Sequence, residues 1–178
     1  MRNLHGSPQF VIVKERCYTT LVRPMAEYSC QVWDPHHQTE INRLERIQKR
    51  AARFATNNFI METGNSARNL QKLGWQSLEE RRLQTKLITF QKSRLGLLDL
   101  PLDHLTLKNR RTRLGGDSPA YAPHFSPVDG QFYSFFPQTT QLWNRLPLDT
   151  RTCDDIKVFS SDIKKSDLCN IKRTMSVF

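Results

Sequence analysis

The sequence predicts a mainly α-helical fold, in which a small helical bundle is followed by a basic linker and a short C-terminal helical unit. Three observations lead to this prediction. Apolar residues recur at helical spacing in several separate stretches of the chain. Helix-capping residues precede some of these stretches, as in Ser77-Leu-Glu-Glu80. Only 38% of the residues are hydrophobic, which favours a modest core over a large one.

This pattern divides the 178 residues into five segments. They are a loose N-terminus at 1–9, the helical bundle at 10–100, a basic linker rich in proline and glycine at 101–131, a C-terminal helical unit at 132–166 and a frayed tail at 167–178.

The bundle begins with an apolar helical pattern over 10–33. Val11, Tyr18, Met25 and Val32 recur at seven-residue steps and predict one buried face. Because proline lacks an N–H and clashes with the preceding turn, Pro24 predicts a kink or break near 22–23.

Three other side chains of this segment are predicted to be buried. Trp33 precedes the break at Asp34-Pro35 and is expected to anchor the core. Cys17 and Cys30 are expected to be small buried hydrophobic residues.

The next helix, predicted over 41–55 with Thr39 as its N-cap and Asn57 near its end, has two contrasting faces. One broad half is apolar and comprises Ile41, Leu44, Ile47, Ala51, Ala52, Phe54 and Ala55. The opposite face, called the basic stripe below, comprises Arg43, Arg46, Lys49, Arg50 and Arg53.

The rest of the bundle is predicted to contain two more helices. A short helix over 67–73 ends at Gly74. The capping residues at 77–80 then begin a helix that ends at Gly96. This helix places Leu83, Leu87 and Phe90 on one face.

From 106 to 131 the composition changes to that of a loop, in which Arg110, Arg111 and Arg113 are followed by the pair Gly115-Gly116 and by three prolines. We expect a two-stranded element around 121–136, with 132–136 as a short strand or extended segment.

The C-terminal unit is predicted to contain two helices. The first begins with Pro137 at its first position and carries Leu142, Trp143 and Leu146. The second follows a capping arrangement at 152–155. It turns Ile156, Phe159 and Ile163 inward.

A net charge of +10 favours polyanionic partners, above all nucleic acid. The four cysteines form no CxxC pair, so neither a zinc site nor any other cofactor is expected. The sequence has no signal peptide and no apolar run long enough to cross a membrane. We therefore predict an intracellular protein, nuclear or cytoplasmic, with no membrane partner and no small-molecule substrate.

Catalytic groups are not predicted. A polymerase needs carboxylates that bind paired divalent ions, and the only Asp-Asp pair is Asp154-Asp155. This pair lies at a predicted helix start, where capping explains it better. The histidines fall in loop-like surroundings and form no catalytic constellation.

Three blocks of sequence resemble one family in the same order. They are LVRPMAEYSCQVWDP with INRLERIQKRAARF within 21–54, LGWQSLEERR at 73–82 and SFFPQTTQLWNRLP at 134–147. The resemblance is to the C-terminal, thumb and post-thumb region of jockey-like non-LTR retrotransposon reverse transcriptases, which are RNA-directed DNA polymerases. It covers about residues 2–165.

This resemblance implies a thumb-like bundle that leans on a template–primer duplex of RNA or RNA–DNA. The basic stripe would make the backbone contacts, and Arg110, Arg111 and Arg113 would add a second contact. The family's catalytic palm would lie upstream of this chain, so the chain alone is expected to be no enzyme.

Other interpretations stay open at the level of sequence. The stripe could be a solvated helix surface, and the pattern alone slightly favours that interpretation. The chain could also be a non-enzymatic protein-interaction module whose basic face docks an acidic partner. A third interpretation is the product of a decayed element with no selected role. The oligomeric state and any preference for RNA over DNA are not predicted.

Overall fold

The computed structural model describes residues 8–60, 62–100, 102, 105–111, 117–122 and 128–173, and this part of the chain is mainly helical, as predicted. The N-terminal helices are α1 (Pro8–Cys17), a π-helical stretch (Tyr18–Val22), α2 (Arg23–Glu27), α3 (Cys30–Trp33), α4 (Gln38–Thr56), α5 (Asn65–Lys72) and α6 (Leu78–Arg94). They are followed by strands β1 (Leu107–Arg111) and β2 (Asp117–Tyr121), and then by α7 (Asp129–Phe132), α8 (Phe135–Asn144), α9 (Leu148–Arg151), α10 (Ile156–Lys165) and α11 (Leu168–Arg173).

The chain forms two compact units whose boundary lies inside α6, between Arg82 and Leu83. The sequence predicts a helical bundle over 10–100. A continuous helix shows no composition change at such a boundary, so the sequence pattern gave no sign of it.

The first unit has a small core made by α4, the π-helical stretch and the segment before α6. Its buried members are Tyr18, Ala52, Ala55 and Trp75. The Tyr18 and Trp75 rings stack with their centroids 4.6 Å apart and their planes 24° apart. The alanines allow α4 to approach these two aromatic rings closely.

The predicted kink or break near 22–23 coincides with a change of helix type, while Val22 and Arg23 both keep helical backbone angles. The π-helical stretch ends at Val22, and α2 begins at Arg23 with Pro24 in its first turn. Proline is tolerated there because the first N–H groups of a helix need no partner within that helix.

The predicted seven-residue face is wrong. Tyr18 is buried, but Met25 is 79% exposed and Val32 is 88% exposed. The π-helical stretch changes the angular phase of the helix. Ser29 then adopts a left-handed conformation with φ of 50°. Together these two irregularities turn the later residues away from the face of Tyr18.

Two further burial predictions from this segment are wrong. Trp33 is 40% exposed and donates its indole Nε1–H to the carbonyl of Tyr28 at 2.5 Å. Cys17 is exposed, whereas Cys30 is fully buried as predicted. Trp33 follows both irregularities and shares the error in helical phase, whereas Cys17 precedes them and simply lies on the exposed side of α1.

Helix α4 is slightly longer than predicted. It begins at Gln38 with His37 as its N-cap, so Thr39 lies in the first turn and is not the cap. It ends where Asn57 adopts φ of 51°, a left-handed conformation that asparagine tolerates.

The second unit packs around α6, α8 and α10. The sequence correctly predicts Leu83, Leu87 and Phe90 as buried, together with Leu142, Trp143, Leu146, Phe159 and Ile163. Asp155 caps α10 as predicted, because its carboxylate accepts the backbone N–H of Lys157 at 2.7 Å.

Part of the predicted linker is a β-hairpin. Strands β1 and β2 pair antiparallel, from Leu107 opposite Tyr121 to Arg111 opposite Asp117. Tyr121 is buried in the core, and its backbone N–H and C=O bond the Asn144 side chain, each at 2.8 Å. Polar composition suggested a loop, but this clamp from α8 holds the strand in place.

The segment 132–136, predicted as extended, is helical at both ends in the structure. Helix α7 ends at Phe132 and α8 begins at Phe135, so Pro137 is the third residue of α8 and not the first. The predicted two-stranded element around 121–136 therefore lies earlier in the chain. The frayed tail is also corrected, since α11 buries Leu168 against the core. Residues 174–178 lie outside the described residues.

We expect Tyr18 to make the first unit sensitive to alkaline pH. Burial raises the pKa of its phenol from 10.0 to about 12, so the folded state keeps a proton that the unfolded state loses above pH 10. Stability should therefore fall as the pH rises from 10 to 12. Tyr18→Phe should reduce this fall by roughly 2 kcal/mol in denaturant unfolding. Tyr28→Phe, at a 77% exposed tyrosine, should keep the wild-type pH dependence.

Candidate nucleic-acid interface

The basic stripe lies on one side of α4. At about 100° per residue, its five cations fall within an arc of roughly 120° and extend about 15 Å along the helix. Arg43, Arg46, Lys49 and Arg50 are exposed, while Arg53 is half-buried and donates from Nη2 to the Ser66 hydroxyl at 3.3 Å. Four of the five predicted cations are therefore presented to solvent.

The cations of the stripe differ in whether they form ion pairs. Arg43 Nη1 lies 3.1 Å from the Glu40 carboxylate, in a pair whose side chains are 67% and 47% exposed. Among the described residues, no carboxylate lies within ion-pair distance of Arg46, Lys49 or Arg50. These three side chains form the uncompensated centre of the stripe.

The apolar half predicted for this helix is only partly buried. Ile41, Ala52 and Ala55 face the interior, but Ile47 is 43% exposed and Phe54 is 52% exposed. The last two lie at the edge of the apolar arc nearest to Arg43 and Arg50. The Phe54 ring is contacted by the Lys14 ammonium, 4.6 Å from its centroid.

Gln48, which sequence reasoning did not select, fixes the rotation of α4. It is 1% exposed and donates from Nε2 to the carbonyl of Gln76 at 2.7 Å. Its Oε1 accepts from the Tyr18 hydroxyl at 3.4 Å. On a helical projection Gln48 falls between Ile41 and Ala55, and this position in the sequence could have predicted its burial.

Glu45, on the same helix, accepts the backbone N–H of Glu79 at 2.9 Å. This carboxylate therefore satisfies a free N–H at the beginning of α6. It makes no ion pair with the stripe among the described residues. Together with Gln48, it holds α4 so that the stripe faces outward.

Two ion pairs join the first and second sequence blocks inside the first unit. Arg81 binds Glu27 through two donors, Nε and Nη2, the latter at 3.0 Å. The hydrogen bond to Glu27 is the main cause of the raised pKa of Arg81. Arg82 Nε lies 2.6 Å from the Asp34 carboxylate, with the side chains 0% and 3% exposed.

The second predicted contact and the stripe belong to different units. Arg110 and Arg111 lie on β1, where the backbone pairs them with Ser118 and Asp117. Arg113 lies outside the described residues. The stripe belongs to the first unit and β1 to the second.

The structure gives the Asp154-Asp155 pair two separate roles. Asp154 lies 3.1 Å from Arg94 Nη2, and Asp155 caps α10. In the part of the chain that the structure describes, no three His, Cys, Asp or Glu side chains group in a way that could hold a metal ion. None of its described helices is both long and apolar enough to cross a membrane.

Comparison of the chain with protein-family models, with curated proteins and with solved structures gives no significant match. The description of this protein therefore rests on its fold and on the charge of its surface. It is a mainly helical protein with a basic helix face on which Arg46, Lys49 and Arg50 make no ion pair among the described residues.

Proposed function

We propose that this chain is a thumb-type nucleic-acid-binding module that holds a template–primer duplex through the basic stripe of α4. The resemblance to the C-terminal region of non-LTR retrotransposon reverse transcriptases motivates the proposal. The observation that carries it is the exposure of Arg46, Lys49 and Arg50, which make no ion pair among the described residues. The proposal includes no catalytic role for the chain alone.

The physical basis is the release of counterions. Each cation that neutralises a phosphate releases bound salt ions from the nucleic acid, so affinity falls steeply as salt rises. Cations along about 15 Å of one helix can follow a single backbone. The stripe contains arginine and lysine only, and backbone contacts of this kind fix position without reading sequence. Binding should therefore depend strongly on salt and little on sequence.

The test is a triple variant, Arg46→Gln with Lys49→Gln and Arg50→Gln. All three side chains are exposed, so the fold should persist. Affinity for an RNA–DNA duplex should fall at least tenfold at low salt. The slope of log K against log salt should become shallower by roughly 3, about 0.9 for each lost phosphate contact. Fluorescence anisotropy across a salt series measures both quantities.

A matched control removes the same charge elsewhere in the first unit. Arg16, Arg68 and Lys72 are exposed and lie outside the stripe, so changing all three to glutamine should alter the salt slope much less. Equal effects of the two triple variants would show that net charge, and not the stripe, drives binding. Unchanged duplex binding by the stripe variant would exclude the stripe as the interface.

A second candidate function is a protein-interaction module. It is favoured by exposed apolar side chains on and around α2 and α3. These are Leu21, Val22, Met25, Tyr28, Val32 and Trp33, with exposed fractions from 40% to 88%. Clustered exposed apolar residues often mark protein-binding surfaces. A tight complex with an acidic protein that added duplex does not displace would favour this function over the first.

A further inference from the structure

An open groove in the second unit combines lysine side chains with an apolar floor. It lies between α6 and α10 and has a volume of 580 Å³. We propose that it binds single-stranded polynucleotide, with lysines on the phosphates and isoleucines against the bases. The groove contains none of the cations that the sequence selected as nucleic-acid contacts, and the proposal does not depend on the stripe of α4.

The charge of the groove is entirely positive. Its cations are Lys92, Lys157, Lys164 and Lys165, all exposed. No carboxylate belongs to the lining among the described residues. Two acids border the lining in sequence: Asp155 caps α10, and Asp162 lies on α10 between Ser161 and Lys164 but is not part of the lining. Such a groove concentrates anions and is complementary to a chain of phosphates.

The spacing of the lysines fits an extended anion better than a small one. Lys157 and Lys164 lie seven residues apart on α10, which separates them by about 10 Å along the helix axis. Lys92 belongs to α6 and so lines the groove from the opposite side. Cations placed on both walls and along the length can contact successive phosphates of one strand.

The apolar side chains of the groove favour the binding of a single strand over that of a duplex. Ile88 and Ile156 line the groove and are half-buried, because they also pack against the core of the second unit. A single strand exposes base faces that can cover these side chains, whereas a duplex hides them in its stack. The hydroxyls of Ser160 and Ser161 can bond phosphate oxygens or base edges.

The same lining limits affinity and specificity. No aromatic ring lines the groove in the described part of the chain, so the strong base stacking of many single-strand binders is missing. Lysine ammonium groups bind phosphate as point charges and do not read base identity. Binding should therefore be moderate, dependent on salt and tolerant of sequence.

The experiment uses the full chain with the stripe silenced by Arg46→Gln, Lys49→Gln and Arg50→Gln. In that background we add Lys92→Gln, Lys157→Gln and Lys165→Gln. The probes are a labelled single-stranded oligouridylate and an RNA duplex of the same length. The background variant should bind the single strand more tightly than the duplex. The groove changes should weaken single-strand binding at least tenfold and reduce the salt slope by roughly 2, about 0.7 per contact.

The control for lost charge, in the same background, is Arg68→Gln with Lys72→Gln and Arg173→Gln, three exposed cations outside the groove. It should leave single-strand binding within about threefold of the background. Equal losses in groove and control variants would overturn the proposal, as would equal affinity for duplex and single strand. Preferential binding of the background variant to phosphatidylserine vesicles would also overturn it, by assigning the groove to a membrane surface.

The proposals for the stripe and for the groove can be refuted separately. If the stripe variant alone keeps full duplex binding, the proposed function fails and the groove stays testable. If single-strand binding survives the groove changes, the groove proposal fails and the stripe is unaffected.

Discussion

Asp34→Asn is expected to lower the free energy of unfolding of the first unit by about 3–5 kcal/mol, because it leaves the buried Arg82 guanidinium without its counter-ion. Arg82 is 0% exposed, and its Nε donates to Asp34 Oδ1 at 2.6 Å. Among the described residues, neither Nη1 nor Nη2 of Arg82 has a hydrogen-bond partner. The carboxylate is therefore the main compensation for a charge removed from water.

The position of Asp34 follows from the residue after it. A residue before proline is driven out of the helical region, and Asp34 accordingly has φ of −51° and ψ of 120°. This ends α3 and gives the carboxylate a fixed backbone position. The Asp34–Arg82 pair therefore depends on a backbone geometry that Asp34→Asn keeps. The loss of stability in this variant should then result from the lost charge alone.

Chemical denaturation followed by helical circular dichroism measures the effect, with hydrogen exchange of α1 and α4 peptides assigning it to the first unit. Glu40→Gln is the matched control, since its pair with Arg43 is largely exposed and should contribute no more than about 1 kcal/mol. Added salt should change the effect of Glu40→Gln and leave that of Asp34→Asn nearly constant.

A double variant separates the pair from its parts. Asp34→Leu with Arg82→Met replaces both charges by apolar groups, and buried pairs replaced in this way are often no less stable. The double variant should therefore recover most of the loss caused by Asp34→Asn. A loss below about 1 kcal/mol for Asp34→Asn itself would show that water reaches Arg82.

Local sequence rules predicted the regular parts of the fold. Ser77, Asp155 and Asn57 lie at helix ends because each satisfies backbone groups that a helix leaves free. The buried face of α6 followed from its apolar spacing alone, since Leu83, Leu87 and Phe90 are all 0% exposed. The helix caps and the buried face of α6 depend on residues only a few positions apart, so a single sequence is enough to predict them.

The errors come from features that depend on distant residues. A π-helical stretch shifts the phase of the first helical segment, so a seven-residue count that begins at Val11 places Met25 and Val32 on the wrong side. The hairpin is held by Asn144, more than twenty residues from β2 in sequence. A single sequence does not show which distant residues will be in contact.

The candidate interface shows the same division. Periodicity predicted which cations share one side of α4, and the structure presents four of them to solvent. The burial of Gln48 was harder to predict from the sequence. A glutamine beside arginines is usually exposed, whereas Gln48 is buried and anchors the helix. The lysine groove was missed because its walls come from α6 and α10, about seventy residues apart in the chain.

Trp143→Ala should destabilise the second unit by about 3–5 kcal/mol, the usual cost of truncating a buried tryptophan. Trp143 is 1% exposed at the centre of the aromatic cluster. Its ring meets the Tyr121 ring edge-on at 5.1 Å and the Phe90 ring at 6.2 Å. The Arg151 guanidinium lies 5.5 Å from its centroid, and burial lowers the pKa of that arginine.

Because these partners come from α6, β2 and α9, the cavity left by alanine would loosen the hairpin as well as the helices. Near-ultraviolet circular dichroism should lose the signal of the aromatic cluster, and denaturant unfolding should report the loss in free energy. Trp33→Ala is the matched control, since Trp33 is 40% exposed and its removal should cost about 1 kcal/mol. Similar losses from the two tryptophan variants would mean that Trp143 does not organise the core of the second unit. In that case the third sequence block would need a role other than packing.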